Sequence, residues 1–274
     1  MRYRTALRPE HCEYNAYQVK PSRKCSTEKR LLLPEIYHAH HTLDQADIPF
    51  WLQLAAQSGG PVLELGCGTG RVSLALAQAG CQVFGLDNDL SMLRYFAKLA
   101  GTQNADRVHL LQADMRRFHL AERFGLILIP CNTLSTLALP DLKATLGCVA
   151  PHLRAGGIFA ASLPNPYLLA RLPGRGRSEV EEIFRHPLDG EPVQASSAWQ
   201  RSEAAFTVYW YYDHLLPDGH VERSQAVIHH QRFSENVYLD ELKMNGFRSI
   251  QLFGDVDRSP YRKTSPSLIL VASK

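Results

Sequence analysis

Between residues 60 and 165, short apolar runs alternate with amphipathic segments. Five of the runs predict strands: VLEL (62–65), QVFGLD (82–87), RVHLLQ (107–112), FGLILIP (124–130) and GGIFAASL (156–163). The intervening helices are predicted at 69–79, 89–100 and 140–153. Repeated strand–helix units form parallel sheets with right-handed crossovers. The uniformly apolar run at 124–130 favours a central strand of such a sheet.

The flanking segments have different patterns. Residues 34–58 have a helical pattern, which Pro49 is expected to split into two helices. Proline and glycine recur between 164 and 190 and predict a long loop or lid. A Pro-Asp-Gly turn at 217–219 predicts an antiparallel hairpin between the strand-like runs on either side of it. The remaining elements are three strand-like runs, a helix and two final strands: 193–203, 205–216, 220–233, 234–244, 247–253 and 267–273.

Composition narrows the class of protein. The 274 residues are 45% hydrophobic and 21% charged, which predicts a packed globular core. A net charge of +3 does not by itself favour a nucleic-acid binder. The six cysteines form no C-x-x-C pair and no zinc-finger spacing, so no metal site is expected. Because no signal-like apolar region or membrane-length run of about 20 residues is present, we expect a cytoplasmic protein with reduced thiols.

The turn after the first strand, LGCGTGR, is rich in glycine. Such a turn brings backbone amides close to a ligand. A phosphate-binding P-loop is excluded because the required Gly-Lys-Ser/Thr is absent. Gly66, Gly68 and Gly70 are spaced G-x-G-x-G, one residue short of the dinucleotide fingerprint, which argues against a dinucleotide without deciding the matter. Glu64 in the strand would repel a phosphate, so the turn favours a zwitterionic ligand.

Two further acids end the next two strands. Asp87 lies 23 residues after Glu64, near the interval of about 20 residues at which an acid meets a ribose diol. Asp114 ends the third strand in LLQADMRRF. In open α/β sheets, ligands bind at the carboxyl ends of the strands. Each acid, like Asp89, is alternatively a helix cap or turn residue.

Five motifs in order give a family resemblance: VLELGCGTGR, FGLDNDLSML, QADMRRF, LILIPCNTL and LRAGGIFAASLPNP. Together they resemble class I S-adenosylmethionine-dependent methyltransferases, of the small-molecule branch and the bacterial type without an assigned substrate. The resemblance covers residues 60–165, and the two C-terminal strands agree with it. It implies an α/β fold: a Rossmann-like, doubly wound, mostly parallel seven-stranded sheet with the last strand antiparallel, plus an antiparallel β insertion.

The same resemblance implies a domain organisation and a cofactor. We expect an N-terminal extension (1–33), an S-adenosylmethionine-binding domain (34–165 and 234–274), and an inserted loop with an antiparallel β cap (166–233). The methionine part of S-adenosyl-L-methionine would meet Glu64, Gly66, Cys67, Gly68 and Gly70. The ribose, adenine and sulfonium would meet the remaining predicted cofactor residues: Asp87, Asn88, Met92, Ala113, Asp114, Met115, Pro130 and Cys131.

The methyl acceptor is less well indicated. The fourth strand ends in PCNT, unlike the N/D-P-P-Y type motif of base and protein amino-methyltransferases, which favours a small molecule. Asn132 would orient the acceptor or cap the following turn. Tyr37 and His41, at i and i+4 of a helix, are predicted to close the pocket, with His38 as a candidate base. The alternative is that these histidines lie on the surface.

The inserted sheet carries alternating aromatic residues. Tyr209 and Tyr211 share one face of the predicted strand, whereas Trp210 and Tyr212 share the other. Tyr209 and Tyr211 are predicted to line the acceptor pocket. The alternative is a role in packing or in a dimer interface.

The predicted function is therefore methyl transfer from S-adenosylmethionine to O or N of a small molecule, by in-line displacement and mainly through positioning. One alternative is an RNA methyltransferase that uses the basic positions at 2–30 and at Arg171, Arg175 and Arg177. Another is a cofactor-binding scaffold without transfer activity. The expected partner is the small molecule, with nucleic acid disfavoured, no membrane, and a monomeric or homodimeric state.

Overall fold

The computed structural model describes residues 33–103 and 106–274. The N-terminal extension predicted for 1–33 lies outside this part of the chain except for its last residue. The helices are α1 Leu33–His41, α2 Ile48–Ser58, α3 Arg71–Gln78, α4 Leu90–Thr102, α5 Leu139–His152, α6 Pro166–Arg171 and α7 Glu235–Met244. The strands are β1 Val62–Leu65, β2 Val83–Asp87, β3 Val108–Gln112, β4 Phe124–Ile129, β5 Leu153–Pro164, β6 Glu179–Arg185, β7 Pro192–Arg201, β8 Ala205–Leu215, β9 Val221–Gln231, β10 Ser249–Phe253 and β11 Ser267–Ser273.

Seven strands form the main sheet in the order β10-β11-β5-β4-β1-β2-β3. The pairs among β1 to β5 are parallel, whereas β11 is antiparallel to both of its neighbours. This arrangement confirms the predicted mostly parallel, doubly wound sheet with an antiparallel last strand. The order reverses between β1 and β4, so the carboxyl ends of β1, β2 and β4 open on one crevice, the usual ligand position in such sheets.

Helices cover both faces of the main sheet. On one face, α2 and α3 pack against it through apolar residues that include Trp51, Leu54 and Leu76. On the other face, α5 and α7 contribute residues such as Leu142 and Leu242. Because both faces are covered, every residue of β4 is buried, as its uniformly apolar sequence predicts. Pro49 lies in the first turn of α2, where proline is tolerated, and the predicted helix break precedes it.

Four antiparallel strands form a second sheet in the order β6-β7-β8-β9, inserted in the chain between α6 and α7. The sheet confirms the predicted antiparallel insertion and the β8–β9 hairpin. The prediction of a continuous loop over 164–190 is wrong, because α6 and β6 lie within it. Pro166 opens α6 behind the cap of Asn165, whose Oδ1 accepts from the Tyr167 amide at 3.0 Å. In β6 only Phe184 is buried, so this edge strand lacks the alternation that predicts a strand.

One face of the second sheet packs on α1 and α6. Its buried side chains include Trp199, Val208 and Trp210, which contact Ile36 of α1 and Leu169 of α6. The domain boundaries proposed from the sequence remain predictions. Within residues 33–103 and 106–274, no helix combines the length and apolar character that crossing a membrane requires.

Candidate functional site

The turn between β1 and α3 needs its glycines. Gly66, Gly68 and Gly70 have φ of 72°, 53° and 85°, in the left-handed region that side chains disfavour. A Cβ on Gly70 would lie 2.4 Å from the ring of Phe96. The turn is fixed to β2 because the amides of Gly66 and Cys67 both donate to the carbonyl of Leu86, at 2.8 and 3.1 Å.

Asp87 at the end of β2 is the central polar residue of this turn. Its side chain is 1% exposed; Oδ2 accepts from the amide of Gly68 at 2.8 Å and Oδ1 from the amide of Asp89 at 2.9 Å. Burial raises the pKa of Asp87 to about 6, against the effect of the two amides. The carboxylate thus joins the glycine turn to the start of α4, where Asp89 is the helix cap and accepts from the Ser91 amide at 2.8 Å.

Glu64 and Cys67 are buried beneath the turn. The Glu64 carboxylate is 2% exposed and accepts a short hydrogen bond from the hydroxyl of Ser73. Burial, followed by the charges of Asp87 and Glu64, raises the pKa of the Cys67 thiol well above its usual value. Cys67 is therefore a protonated, apolar wall residue. Contact of Glu64 with a ligand ammonium group remains a prediction.

A cleft of about 540 Å³ opens beside Asp87, and we call it the β2–β3 cleft. Four predicted cofactor residues line it: Asn88, Ala113, Asp114 and Met115. The other lining residues are Leu86, Arg116, Thr136, Leu137 and Asp141. Asp114 accepts from Nε and Nη2 of Arg116 at 2.9 and 2.6 Å, and these hydrogen bonds lower the pKa of Asp114. The cleft thus combines acceptor oxygens with apolar walls, which suits an adenine ring and a ribose.

At the end of β4, the backbone turns sharply. Cys131 and Asn132 have φ of 69° and 61°, two consecutive left-handed residues other than glycine, a strained arrangement of the kind found at functional sites. The Cys131 amide donates to Oγ of Ser162 at 2.7 Å. The backbone of Asn132 starts the short 3-10 helix Thr133–Thr136, and its carbonyl accepts from the hydroxyl of Ser135 at 2.6 Å. Asn132 thus occupies the first position of this turn through its backbone, and both roles predicted for its side chain stay predictions.

Asn132 also lines a second cavity, of about 520 Å³, which we call the β5–β11 cavity. Its walls come from the α1–α2 connection, α2, the end of β5 and the β10–β11 connection: Asp47, Trp51, Asn132, Ser162, Leu163, Pro164, Asp255, Val256, Pro266, Ser267 and Ile269.

A buried ion pair that sequence reasoning missed supports both the glycine turn and this cavity. Nη1 and Nη2 of Arg71 lie 2.6 and 2.7 Å from Oδ1 and Oδ2 of Asp47, and the indole of Trp51 donates to Asp47 at 2.8 Å. Nη2 of Arg71 also lies 3.5 Å from Sγ of Cys131. Arg71, the last residue of the GCGTGR motif, was a signal for an acidic partner, but nothing in the sequence indicates that this partner is Asp47.

Helix α1 contacts the glycine turn. Its His40 and His41 are buried and its His38 is half-buried, in contrast to the alternative that these histidines lie on the surface. Nδ1 of His38 lies 3.0 Å from the hydroxyl of Thr69 within the turn, and burial, aided by the charge of Arg71, lowers the pKa of His38 to about 4. The rings of Tyr37 and His41 lie 3.9 Å apart, both buried. Burial lowers the pKa of His41 well below its usual value.

The aromatic residues of β8 lie on both faces of the second sheet. Trp210 and Tyr212 are buried on the face that packs on α1, where the Tyr212 hydroxyl lies 3.1 Å from Nδ1 of His40. Tyr209 and Tyr211 are half-buried on the opposite face, and Tyr211 lies beneath a guanidinium there, at 5.3 Å. The strand alternation thus puts Tyr209 and Tyr211 on the other side of the sheet from α1, and their role in an acceptor pocket stays a prediction.

The second sheet also reaches the β4 turn. Nδ1 of His230 on β9 lies 2.8 Å from the hydroxyl of Ser135, which donates to the carbonyl of Asn132. His230 is 1% exposed. This contact and the His40–Tyr212 contact link the second sheet to both ends of the candidate site.

Residues 62–157 match the family described as "Methyltransferase domain". The chain is 30% identical over 152 residues to cypemycin N-terminal methyltransferase of a Streptomyces species, and 31% identical over 159 residues to trans-aconitate 2-methyltransferase of Azoarcus sp. (strain BH72). The matches cover 55% and 57% of this chain but only 60% and 55% of those relatives, so the chain spans little more than half of their length.

Solved structures give the same fold. The sugar N-methyltransferase KedS8 of Streptoalloteichus sp. ATCC 53650 superposes with a TM-score of 0.70 over 96% of this chain and 99% of that one, at 17% identity. At this identity the likeness establishes the fold. The sheet order and this likeness confirm the predicted class I methyltransferase fold. In sequence, residues 62–157 are similar to the methyltransferase domain family.

Proposed function

We propose that this protein transfers a methyl group from S-adenosylmethionine to a nitrogen or oxygen of a small molecule. One observation carries the proposal: the buried Asp87 carboxylate accepts from the amide of Gly68 at 2.8 Å, and its chain neighbours Leu86 and Asn88 line the β2–β3 cleft. A carboxylate that costs free energy to bury, at the end of a strand and next to a cleft, suits the two hydroxyls of a ribose. The acids and apolar walls of the cleft suit the rest of an adenosyl group.

When bound, S-adenosylmethionine supplies an activated methyl group on a sulfonium sulfur. We assign its adenosyl part to the cleft, with Asp87 on the ribose and Met115 against the adenine. We assign the methionine part to the glycine turn and the sulfonium end to the bend at Pro130 and Cys131. The other residues proposed for the cofactor are Glu64, Gly66, Cys67, Gly68, Gly70, Asn88, Met92, Ala113 and Asp114.

The acceptor falls to the β5–β11 cavity. Asn132 is one of its lining residues, so the cavity adjoins the β4 turn to which we assign the sulfonium end of the cofactor. Of its two carboxyl groups, Asp47 is paired with Arg71, whereas Oδ1 of Asp255 accepts from the amide of Val256 at 2.8 Å. The wall of this cavity carries the Asp255 carboxyl group, and none of its described lining residues is basic. This charge pattern favours an amine as the methyl acceptor over a carboxylic acid. KedS8 is named a sugar N-methyltransferase and the cypemycin relative an N-terminal methyltransferase, which agrees with an amine acceptor, whereas trans-aconitate 2-methyltransferase is named for an acid.

Catalysis is assigned mainly to positioning. Asn132, held at the cavity wall by the strained β4 turn, would orient the acceptor. Since its pKa is lowered to about 4, His38 is a weak base near neutral pH, and we assign it to holding Thr69 of the glycine turn. Tyr37 and His41 would close the pocket over the cofactor.

Release of S-adenosylhomocysteine tests this proposal. The purified protein is incubated with S-adenosylmethionine and, separately, with pools of small amines, of carboxylic acids and phenols, and of bulk tRNA. We expect turnover with the amine pool, loss of it in Asp87→Ala, and normal turnover in Asp218→Ala, which changes an exposed turn acid. Turnover with tRNA alone would support an RNA methyltransferase. Cofactor binding without turnover on any pool would support a scaffold, and absence of cofactor binding would refute the proposal.

A further inference from the structure

A group of metal-ligand side chains lies in the second sheet, apart from the cofactor cleft. His186 follows β6, Asp189 lies in the turn to β7, and His214 lies on β8. One ligand atom from each lies within 4.8 Å of the other two. The Asp189 carboxylate lies 3.0 Å from Nδ1 of His186 and 3.2 Å from Nε2 of His214. From His186 to His214 the three residues span 28 positions of sequence, and the pairing of β7 with β8 brings His214 next to the other two.

The spacing of these atoms suits a metal ion. Zinc binds imidazole nitrogen and carboxylate oxygen at about 2.0–2.2 Å, which puts neighbouring ligand atoms of a tetrahedral site about 3.3 Å apart. The distances of 3.0 and 3.2 Å are close to that edge length. Two imidazoles with one carboxylate form a borderline donor set, which prefers a divalent transition metal to magnesium or calcium.

The ring of His186 is buried in this group. Its side chain is 4% exposed, and its Nδ1 faces the Asp189 carboxylate. A metal ion in the group would therefore bind Nδ1, and Nε2, which has no hydrogen-bond partner among the described residues, would carry the ring hydrogen. The rings of His186 and His214 stack at 4.0 Å with 16° between their planes, and each has a ring nitrogen beside the same carboxylate.

The surroundings leave one side open. The side chain of Asp189 is 43% exposed, whereas that of His214 is 9% exposed. Two buried ligands and one at the surface resemble the three-ligand pattern of sites that keep a fourth position for water. The turn itself is preformed, because the Gly190 amide donates to the carbonyl of His186 at 2.9 Å and the Glu191 amide to Asp189 at 3.0 Å.

We propose that His186, Asp189 and His214 bind a divalent transition metal, zinc in the first instance, which fastens the β6–β7 turn to β8. The site is separate from the cofactor turn and from the catalytic assignment above. Its role would be to stabilise the second sheet, whose other face carries half-exposed residues and whose β6 edge buries only Phe184.

Zinc titration of the chelator-treated full-length chain tests the site by calorimetry. We expect one zinc equivalent to bind the wild type and to raise its Tm. Binding should weaken by more than tenfold in Asp189→Asn and be lost in the double variant His186→Gln/His214→Gln. The matched control is His229→Gln, which changes an exposed histidine paired with Thr207 on the same sheet and should bind zinc as the wild type does.

Three further readouts make the outcome decisive. Circular dichroism of each metal-free variant establishes that it is folded, and the conservative Asp189→Asn covers the case in which the double variant does not fold. The absorption spectrum of the cobalt-loaded wild type reports nitrogen–oxygen coordination. Equal zinc binding by wild type and folded variants, or no binding by the wild type, would overturn the site. Cofactor affinity measured with and without zinc keeps this result separate from the proposed function.

Discussion

Acidification should weaken cofactor binding through Asp87. Burial raises the pKa of this carboxyl to about 6, so lowering the pH from 7 to 5 converts it from mostly ionised to mostly protonated. Protonation replaces one acceptor oxygen with a donor. The amides of Gly68 and Asp89 and the two hydroxyls of a ribose are all donors, so they need the ionised form.

The magnitude follows from the pKa. With a pKa of about 6, roughly one molecule in ten is ionised at pH 5, so the affinity for S-adenosylhomocysteine should fall about tenfold, or about 1.4 kcal/mol. The stability contribution of Asp87 has the opposite sign. Its pKa in the folded state exceeds the ordinary value of 3.8, so this group favours folding more strongly as the pH falls from 6 towards 4. Weaker binding at pH 5 therefore does not follow from this group destabilising the fold.

Neighbouring residues do not account for the same fall. Hydrogen bonds from Arg116 lower the pKa of Asp114, so that carboxylate stays ionised at pH 5. His38, with a pKa lowered to about 4, stays neutral. Calorimetry at pH 5, 6 and 7 should show the decline in the wild type and a weak, flat affinity in Asp87→Asn.

The matched control for this titration is Asp89→Asn, because asparagine caps a helix as well as aspartate does. It should keep the decline at slightly lower pH, since the charge of Asp89 helps to raise the pKa of Asp87. A flat wild-type affinity, or an equal decline in Asp87→Asn, would refute the role of the carboxylate.

Two further predictions concern the scaffold beneath the site. Gly70→Ala should destabilise the fold by about 2–4 kcal/mol in urea unfolding, because it adds a steric clash to the left-handed strain; Gly80→Ala has a similar φ but open space around it, and should cost only about 1–2 kcal/mol. Equal losses would show that the clash is relieved at no cost. Asp47→Asn should cost about 3–5 kcal/mol, since it leaves the Arg71 charge buried and unpaired, whereas the exposed Asp218→Asn should leave the urea midpoint of unfolding nearly unchanged. A small loss in Asp47→Asn would mean that Arg71 finds another partner.

Local pattern was sufficient to predict the main sheet. Each strand of the parallel part is a short apolar run, and β1 and β2 each lead through a glycine or acid into a helix. The right-handed crossover rule then limits how such units can be connected. The cofactor turn was predictable for the same reason, since its residues are contiguous. The edge strand β6 was missed because one buried residue, Phe184, produces no alternation, and α6 was missed because Pro166 was read as a loop signal although it suits a first helical turn.

The residues that the sequence could not identify are those that depend on tertiary contact. Asp47 and Arg71 are 24 positions apart and meet only because α2 packs on α3. For β8, the alternation separated the aromatic residues correctly into two faces. It could not decide which face meets α1, because both carry tyrosine and both are partly apolar. That choice depends on the apolar residues of β7 and β9, and the face of Trp210 is the one that packs.

Helix α1 and the 3-10 helix Thr133–Thr136 connect the second sheet to the two turns of the candidate site. His38 and His40 lie two residues apart on α1 and so point to different sides. His38 reaches the hydroxyl of Thr69 in the cofactor turn, whereas His40 reaches Tyr212 on the sheet. On the other side, His230 of the same sheet reaches Ser135, which supports the strained turn at Asn132. A displacement of the sheet that keeps both contacts must move the cofactor end and the acceptor end together. In the proposed assignment, these contacts connect the inserted sheet to the turn that would hold the cofactor and to the turn beside the acceptor cavity, and they would keep the two reactants at a fixed distance, as catalysis by positioning requires.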